Sequence, residues 1–356
     1  MITSPVRRAV LVASRISGVQ RLFRRRSQGP TVLFYHGVEE RISDPIVQGM
    51  HFPIGLFEKQ IRFLRREREV ISLDGLSDLI EAKKPLDRRC VVLTFDDGYS
   101  NNLRVVAPML KAWGLPFTIF VSTRHISEGR RFPMYYIRAA VMYTEAQKAH
   151  LPSLRQTFPL ANRRARLEAL TTITRAAKTE PLPVVEQIVT ECIALLHAER
   201  WAELDSIFQS ECPMSWSEVV RTAATGATIG SHAHDHCILH SGQSIGEIQR
   251  QVRTSKIEIE KHVGTCQYFA YPNGCADDIS GEAHGAVQSQ QFRMGFSTIL
   301  GEITHDCDRF LAPRIFAVPE YEEFCFLLNR SSEQNEYYRT AHRSFLGEAR
   351  PGAVAN

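Results

Sequence analysis

The stretch CVVLTFDDGYSNN, Cys90 to Asn102, decides how the chain is read. A run of apolar and β-branched residues passes without a break into two adjacent carboxylates, Asp96 and Asp97, and then into Gly98. A short continuous apolar run bounded by a turn fits a strand buried on both faces, as in a parallel sheet. Neighbouring strand residues point to opposite faces, so both carboxylates can serve one site only if the chain turns at once. Glycine supplies the backbone conformations for such a turn. DDG is also an ordinary turn sequence, so the stretch alone leaves a structural and a catalytic reading open.

The same rhythm extends outward. Upstream, TVLFYHGV (residues 31–38) reads as a first strand and PIGLFEKQIRFLRRE (53–67) carries apolar residues at helical spacing. VIS and the helical LDGLSDLIEA follow. Downstream lie a helix over NNLRVVAPMLKAWGL (101–115) and a strand over PFTIFVST (116–123). The order β-α-α-β-α-β points to parallel strands joined by crossover helices. From Pro133 to Cys212 strand signals stop, and these residues are expected to be a helical insertion with Pro181 and Pro183 separating its helices. Alternation returns with the helix SWSEVVRTAATG, the strand ATIGSH and the long helix SIGEIQRQVRTSKIEIEKHVG. CQYFAYPNG, FRMGFSTI and RFLAPRIFAV are the remaining strands. The expected fold is α/β, a distorted (β/α)7-type barrel with a mostly helical insertion. Its parts are a basic leader (1–30), the barrel (31–132 and 213–330), the insertion (133–212) and a polar tail (331–356).

Composition narrows the function classes. The chain has 356 residues, 44% hydrophobic and 23% charged, as in ordinary globular proteins. It has no run of 18 apolar residues to cross a membrane. A net charge of +4 is too mild to point to nucleic acid, and no nucleic-acid partner is expected. No acidic residue precedes Glu39, while Arg7, Arg8, Arg15, Arg21, Arg24, Arg25 and Arg26 alternate with apolar residues. The leader is either an amphipathic helix on an anionic membrane surface or a packed terminal helix. Eight cysteines without a CxxC pair suit free thiols in a reducing compartment. The expected location is cytoplasmic, with peripheral contact at the inner membrane through the leader.

In a parallel α/β sheet, residues at the carboxyl ends of strands converge on one face. Asp96 and Asp97 end one strand, GSHAHDH (230–236) ends another with His232, His234 and His236, and FAYPNG (269–274) ends a third. One carboxylate and two imidazoles make a catalytic zinc set with an open position. A second carboxylate off the metal can act as general base on the water activated there. No GxSxG, Walker or GxGxxG motif offers a competing chemistry.

TFDDG, GSHAHDH and FAYPNG, in this order, resemble the first three motifs of the NodB-homology polysaccharide deacetylases, carbohydrate esterase family 4. The resemblance covers about residues 31–125 and 213–320 and leaves the insertion outside it. FYHGV and LAPRI resemble a bacterial branch that acts in surface and exopolysaccharide synthesis. The resemblance implies that Asp96 is the general base and that Asp97, His232 and His236 hold a divalent metal, with zinc expected and cobalt or nickel as alternatives. His234 then lies between ligands without being one. The Asn273 N–H would help form the oxyanion hole, with Tyr271 and Pro272 at the substrate. Four departures stand out. Ala233 replaces a Ser or Thr. Ala270 replaces the arginine that tethers the catalytic aspartate. Asn273 replaces an aromatic, and the late histidine, the general acid, has no clear counterpart. Arg314 is either a substitute tether or a surface ion pair, and His36 or His305 would supply the acid. Trp113, Trp201 and Trp216 are expected to pack rather than to stack on sugars.

The implied activity is metal-dependent removal of an N-acetyl group from an amino sugar. The substrate would be a cell-surface glycan or its lipid- or nucleotide-linked precursor, with an N-acetylated carbohydrate as the partner. Two other readings stay open: a metal-dependent C–N hydrolase acting on a non-sugar amide, imide or formamide, and a catalytically silent glycan-binding protein.

Overall fold

Every residue of Thr31–Tyr35 (β1) and of Cys90–Phe95 (β3) is buried, as strands covered on both faces require. The computed structural model describes residues 5–17 and 29–329. With β1 and β3, Glu69–Val70 (β2), Thr118–Val121 (β4), Thr228–Ser231 (β5), Tyr268–Ala270 (β6), Met294–Phe296 (β7) and Ile315–Phe316 (β8) form one eight-stranded sheet. Its order is β7-β6-β5-β4-β3-β1-β8, with β2 beside β3, and all of these pairings are parallel. One further parallel bridge, Phe296 to Ala312, links β7 to the segment leading into β8. The sheet is thus a curled half-barrel close to closure, in agreement with the distorted barrel expected from the sequence.

Helices cover the sheet by the periodicity read from the sequence. Ile54–Glu67 buries Phe57, Ile61 and Leu64. Ile245–Val263, the longest helix among the described residues, is capped by Ser244 and ended by Gly264 at φ 90°. Gly281–Ser289 is a helix that its two glycines hid from a periodicity reading.

The insertion has helices at Pro133–Tyr143, Arg163–Thr179, Leu182–Ile193 and Ala198–Ile207, packed on an apolar core of their own that includes Ile137, Val141, Ile173 and Ile188. It is not free of strands. Lys148–Leu151 and Gln156–Pro159 pair as an antiparallel hairpin. Lys148–Leu151 alternates exposed and buried over only four residues, too short a signal to stand out among helices.

The helix Pro5–Ile16 packs against Tyr321–Leu327. Leu11 is buried and Arg15 Nε lies 2.6 Å from Glu322 Oε2. Arg21, Arg24, Arg25, Arg26 and the polar tail fall outside the described residues. Among the described residues, no helix is long and apolar enough to cross a membrane.

Candidate active site

The end of β3 is bent into a site by two residues with left-handed backbone. The Asp96 N–H still donates to Tyr35 O on β1, and the chain then turns through Asp97 at φ 73° and Gly98 at φ 77°. A Cβ on Gly98 would also sit 2.9 Å from Val121 Cγ1, so glycine is needed for space as well as for conformation. Ala233 (φ 61°), His236 (φ 53°) and Asn273 (φ 59°) adopt the same uncommon region in the neighbouring loops. Such residues concentrate where surrounding structure imposes a functional geometry.

These turns bring Asp97, His232 and His236 together, with one potential ligand atom from each and all three within 4.8 Å of one another. Asp97 Oδ1 lies 3.0 Å from His236 Nε2 and 3.5 Å from His232 Nε2. It is buried and has no hydrogen-bond partner, an arrangement that suits a cation. His232 Nδ1 lies 2.7 Å from Ala270 O; donation there leaves the Nε2 lone pair facing Asp97. Burial pushes the His232 pKa down to about 4, so the ring stays neutral and able to ligate in weak acid. Burial also raises the Asp97 pKa, but the charge of His236 outweighs it and holds the carboxyl well below its usual range. His234 points elsewhere, with Nδ1 2.7 Å from Thr123 Oγ1. Its carbonyl accepts from Ser122 Oγ and Arg124 N, so the histidine loop is held from the start of Thr123–Glu128 where Ala233 offers no hydroxyl.

Asp96 is tethered from the other edge of the sheet. Arg314, fully buried just before β8, donates Nη1 to Asp96 Oδ1 at 2.7 Å and Nη2 to Oδ2 at 2.8 Å. Its Nε donates to Ser297 O, and its guanidinium lies over the rings of Phe34 and Phe120. The surface ion pair considered for Arg314 is therefore excluded, and the position left empty by Ala270 is filled from another strand. Burial pushes the Asp96 pKa up, but the charge of Arg314 and then that of His232 hold it below the ordinary value. Asp96 is thus an ionised acceptor beside a potential metal position.

All four residues line one cavity of about 1150 Å³, open mouth included, together with His36 and Asn273. His36 is buried, its Nδ1 has no hydrogen-bond partner, and burial lowers its pKa. Asn273 donates its side-chain amide to Asp278 and accepts from Thr298 Oγ1 through its carbonyl.

Two other expectations need correction. Tyr271 and Pro272 are buried beneath the turn and do not line the cavity, because strand alternation sends Tyr271 against Phe269 instead. His305 is exposed and 3.0 Å from Lys84 O, away from the site. The insertion, which the sequence leaves open between shaping the mouth of the site and serving as a dimerisation arm, builds a wall of the cavity with Met134, Arg138, Leu182, Val185 and Glu211, beside Phe132. Sequence reasoning missed Arg138 and Glu211, since no motif marks them. Trp113, Trp201 and Trp216 line no part of the cavity.

The family model described as polysaccharide deacetylase matches residues 83–158 and 170–291, together more than half of the chain and including most of the insertion. A Bacillus subtilis protein, YxkH, provisionally named a polysaccharide deacetylase, is 30% identical over 97 residues, 27% of this chain and 32% of that protein. The chain therefore matches only about a third of the length of this curated relative. Among solved structures, IcaB from Ammonifex degensii is similar with a TM-score of 0.55 and 17% identity, over 86% of this chain and 98% of that one. The Streptococcus pyogenes deacetylase PplD, solved in complex with acetate, gives 0.54 and 14%, over 83% and 95%. At these identities the structural likeness concerns the fold.

Proposed function

We propose that this chain, which belongs to the polysaccharide deacetylase family, removes the acetyl group from an N-acetylated amino sugar of a cell-surface glycan or of its lipid- or nucleotide-linked precursor. The observation that carries the reading is the pairing of Asp96, ionised and held by Arg314, with the Asp97–His232–His236 cluster on one cavity floor. The cluster fits a divalent ion, zinc first, through its mixed carboxylate and imidazole donors and through the unpartnered Asp97 oxygen. When bound, such an ion supplies Lewis acidity to the carbonyl and to the attacking water. Asp96 takes the proton of that water as it adds to the acetamide carbon. The Asn273 N–H donates to the carbonyl oxygen as negative charge develops on it. His36 passes a proton to the departing amine, and acetate and the free amino sugar leave.

The test is acetate release from a panel of N-acetylated monosaccharides, nucleotide sugars and oligosaccharides, with amides, cyclic imides and formamides as a second arm. Release from at least one sugar, lost on chelation and regained with zinc, cobalt or nickel, is the expected result. Turnover only in the second arm overturns the sugar reading.

The N-terminal helix is proposed to rest on the anionic face of the inner membrane. Its inner side is engaged through Leu11 and Arg15, while Val10 and Ile16 are exposed in a segment free of acidic residues. Val10→Asp/Ile16→Asp should lower co-sedimentation with anionic vesicles several-fold and leave turnover of a soluble sugar unchanged. Equal sedimentation of the variant and the wild type would remove the membrane contact.

A further inference from the structure

Next to His36 the fold holds a second polar cluster that the reaction above does not use. Glu211 ends the last turn of the insertion, Gln209–Glu211, and lines the cavity although the residue is only 3% exposed. Its Oε1 lies 2.9 Å from Nε2 of His51, whose side chain is fully buried. His51 Nδ1 is in turn 3.1 Å from Asn101 Nδ2, which also donates to Glu39 Oε1 at 3.1 Å. Donation to Glu39 turns the amide NH2 group toward His51, so Nδ1 is the acceptor and the ring proton sits on Nε2, beside Glu211. Gly37 makes this possible: a Cβ there would lie 1.8 Å from His51 Nδ1 and 2.9 Å from Asn101 Nδ2. Tyr99 packs on the imidazole with ring centroids 4.6 Å apart.

Several separate chain segments thus converge to hold one carboxylate at a cavity wall. A carboxylate offers about four acceptor positions, and His51 Nε2, although 2.9 Å away, makes no aligned hydrogen bond to any of them. The insertion places a cation on the same wall. Arg138, from Pro133–Tyr143, donates to Val47 O at 3.4 Å, and no carboxylate lies within ion-pair distance of it among the described residues. Both charges line the cavity, yet among the described residues the two are not paired with each other. Charges held for structural reasons alone would be expected to neutralise one another, whereas separated charges facing a cavity await a ligand.

We propose that Glu211 and Arg138 form the subsite that recognises the sugar ring. The Glu211 carboxylate accepts from, and the Arg138 guanidinium donates to, ring hydroxyl groups of the hexosamine that carries the acetamido group. A hydroxyl is both donor and acceptor, so a carboxylate and a guanidinium on one wall satisfy a pair of ring hydroxyls that an amide or imide lacks. Phe132 and Met134, beside them, offer apolar surface for the C–H face of the ring. The assignment rests on the deacetylase reading and makes the insertion its source of sugar specificity.

The experiment pairs calorimetric titration of the metal-free chain with N,N′-diacetylchitobiose and steady-state acetate release from the same sugar. Glu211→Gln and Arg138→Met should each weaken binding and raise KM by about tenfold, the loss typical of a charge-assisted hydrogen bond. Turnover number should stay within about threefold, because neither group meets the reacting atoms. An analogue lacking one ring hydroxyl should bind the wild type about tenfold more weakly and bind at least one variant with no further loss. Melting curves identify a variant that fails to fold; Arg138, only partly buried, keeps the test alive if Glu211→Gln does. Unchanged KM and affinity in both variants, or no measurable affinity of the wild type for the sugar, overturns the subsite. Acetate release with unchanged KM leaves deacetylation standing without it. Sugar binding that depends on both residues, without acetate release from any substrate, keeps the subsite and overturns deacetylation.

Discussion

Asp96→Asn is expected to lower the turnover of acetate release by about a thousandfold, within the range that a positioned general base contributes. The same change should cost stability, because it leaves the fully buried Arg314 guanidinium facing a neutral amide across contacts that were 2.7 and 2.8 Å long. Breaking one half of a buried ion pair typically costs about 3–5 kcal/mol, since the remaining charge cannot return to water. The two effects separate in the double variant Asp96→Asn/Arg314→Met, which removes both charges together. Its melting temperature should recover much of the loss, and its activity none. Activity regained in the double variant would falsify the assignment of Asp96 as base. A single variant that melts like the wild type would show that the pair does not hold this strand end.

The pH dependence has a defined sign. Arg314 keeps the Asp96 pKa below that of an unfolded aspartate despite burial. The stabilisation from this shift is therefore fully present above the unfolded carboxylate pKa and is lost as pH falls through the lower folded value. Arg314→Met removes the cation but not the burial, so the Asp96 pKa rises and the acidic limb of the activity profile should move to higher pH.

The sequence made the catalytic floor legible because its residues sit at strand ends, where a continuous apolar run stops at a chemically unusual turn. TFDDG and GSHAHDH needed only the parallel order of strands to be brought together. The partner of Asp96 was harder to read. Arg314 reaches it because β8 pairs with β1 in the register Leu33 to Ile315, and nothing local in LAPRI records that pairing. Tyr271 shows the opposite failure: it lies within a motif, but a three-residue strand sends it to the buried side. Glu211 and Arg138 were invisible because a helical insertion gives no local sign of which surface it lays against the barrel. Such information resides in packing between distant segments, here the convergence of His51, Asn101 and Glu211 around Gly37.

Zinc is expected to raise the melting temperature of the wild-type chain and to leave that of Asp97→Ala unchanged. An ion that binds only the folded state stabilises it by about 4 kcal/mol at a thousand times its dissociation constant. The folded state alone assembles the three ligand atoms, which come from loops after β3 and β5. The metal-free variant has a sign of its own. In the wild type without metal, Asp97 Oδ1 is buried and accepts no hydrogen bond, a condition that costs folding free energy. The contact with His232 does not offset that cost near neutral pH, because burial keeps that imidazole neutral. At pH 7.5 the metal-free Asp97→Ala chain should therefore melt no lower than the metal-free wild type, while its zinc content falls from one equivalent toward none and acetate release falls by about a thousandfold or more. His232→Gln, which spares the carboxylate, should also lose the zinc-induced rise. A rise of equal size in wild type and both variants would place the ion elsewhere on the chain. A rise lost with Asp97 and retained with His232→Gln would remove the imidazole from the ligand set and leave its hydrogen bond to Ala270 as a purely structural contact.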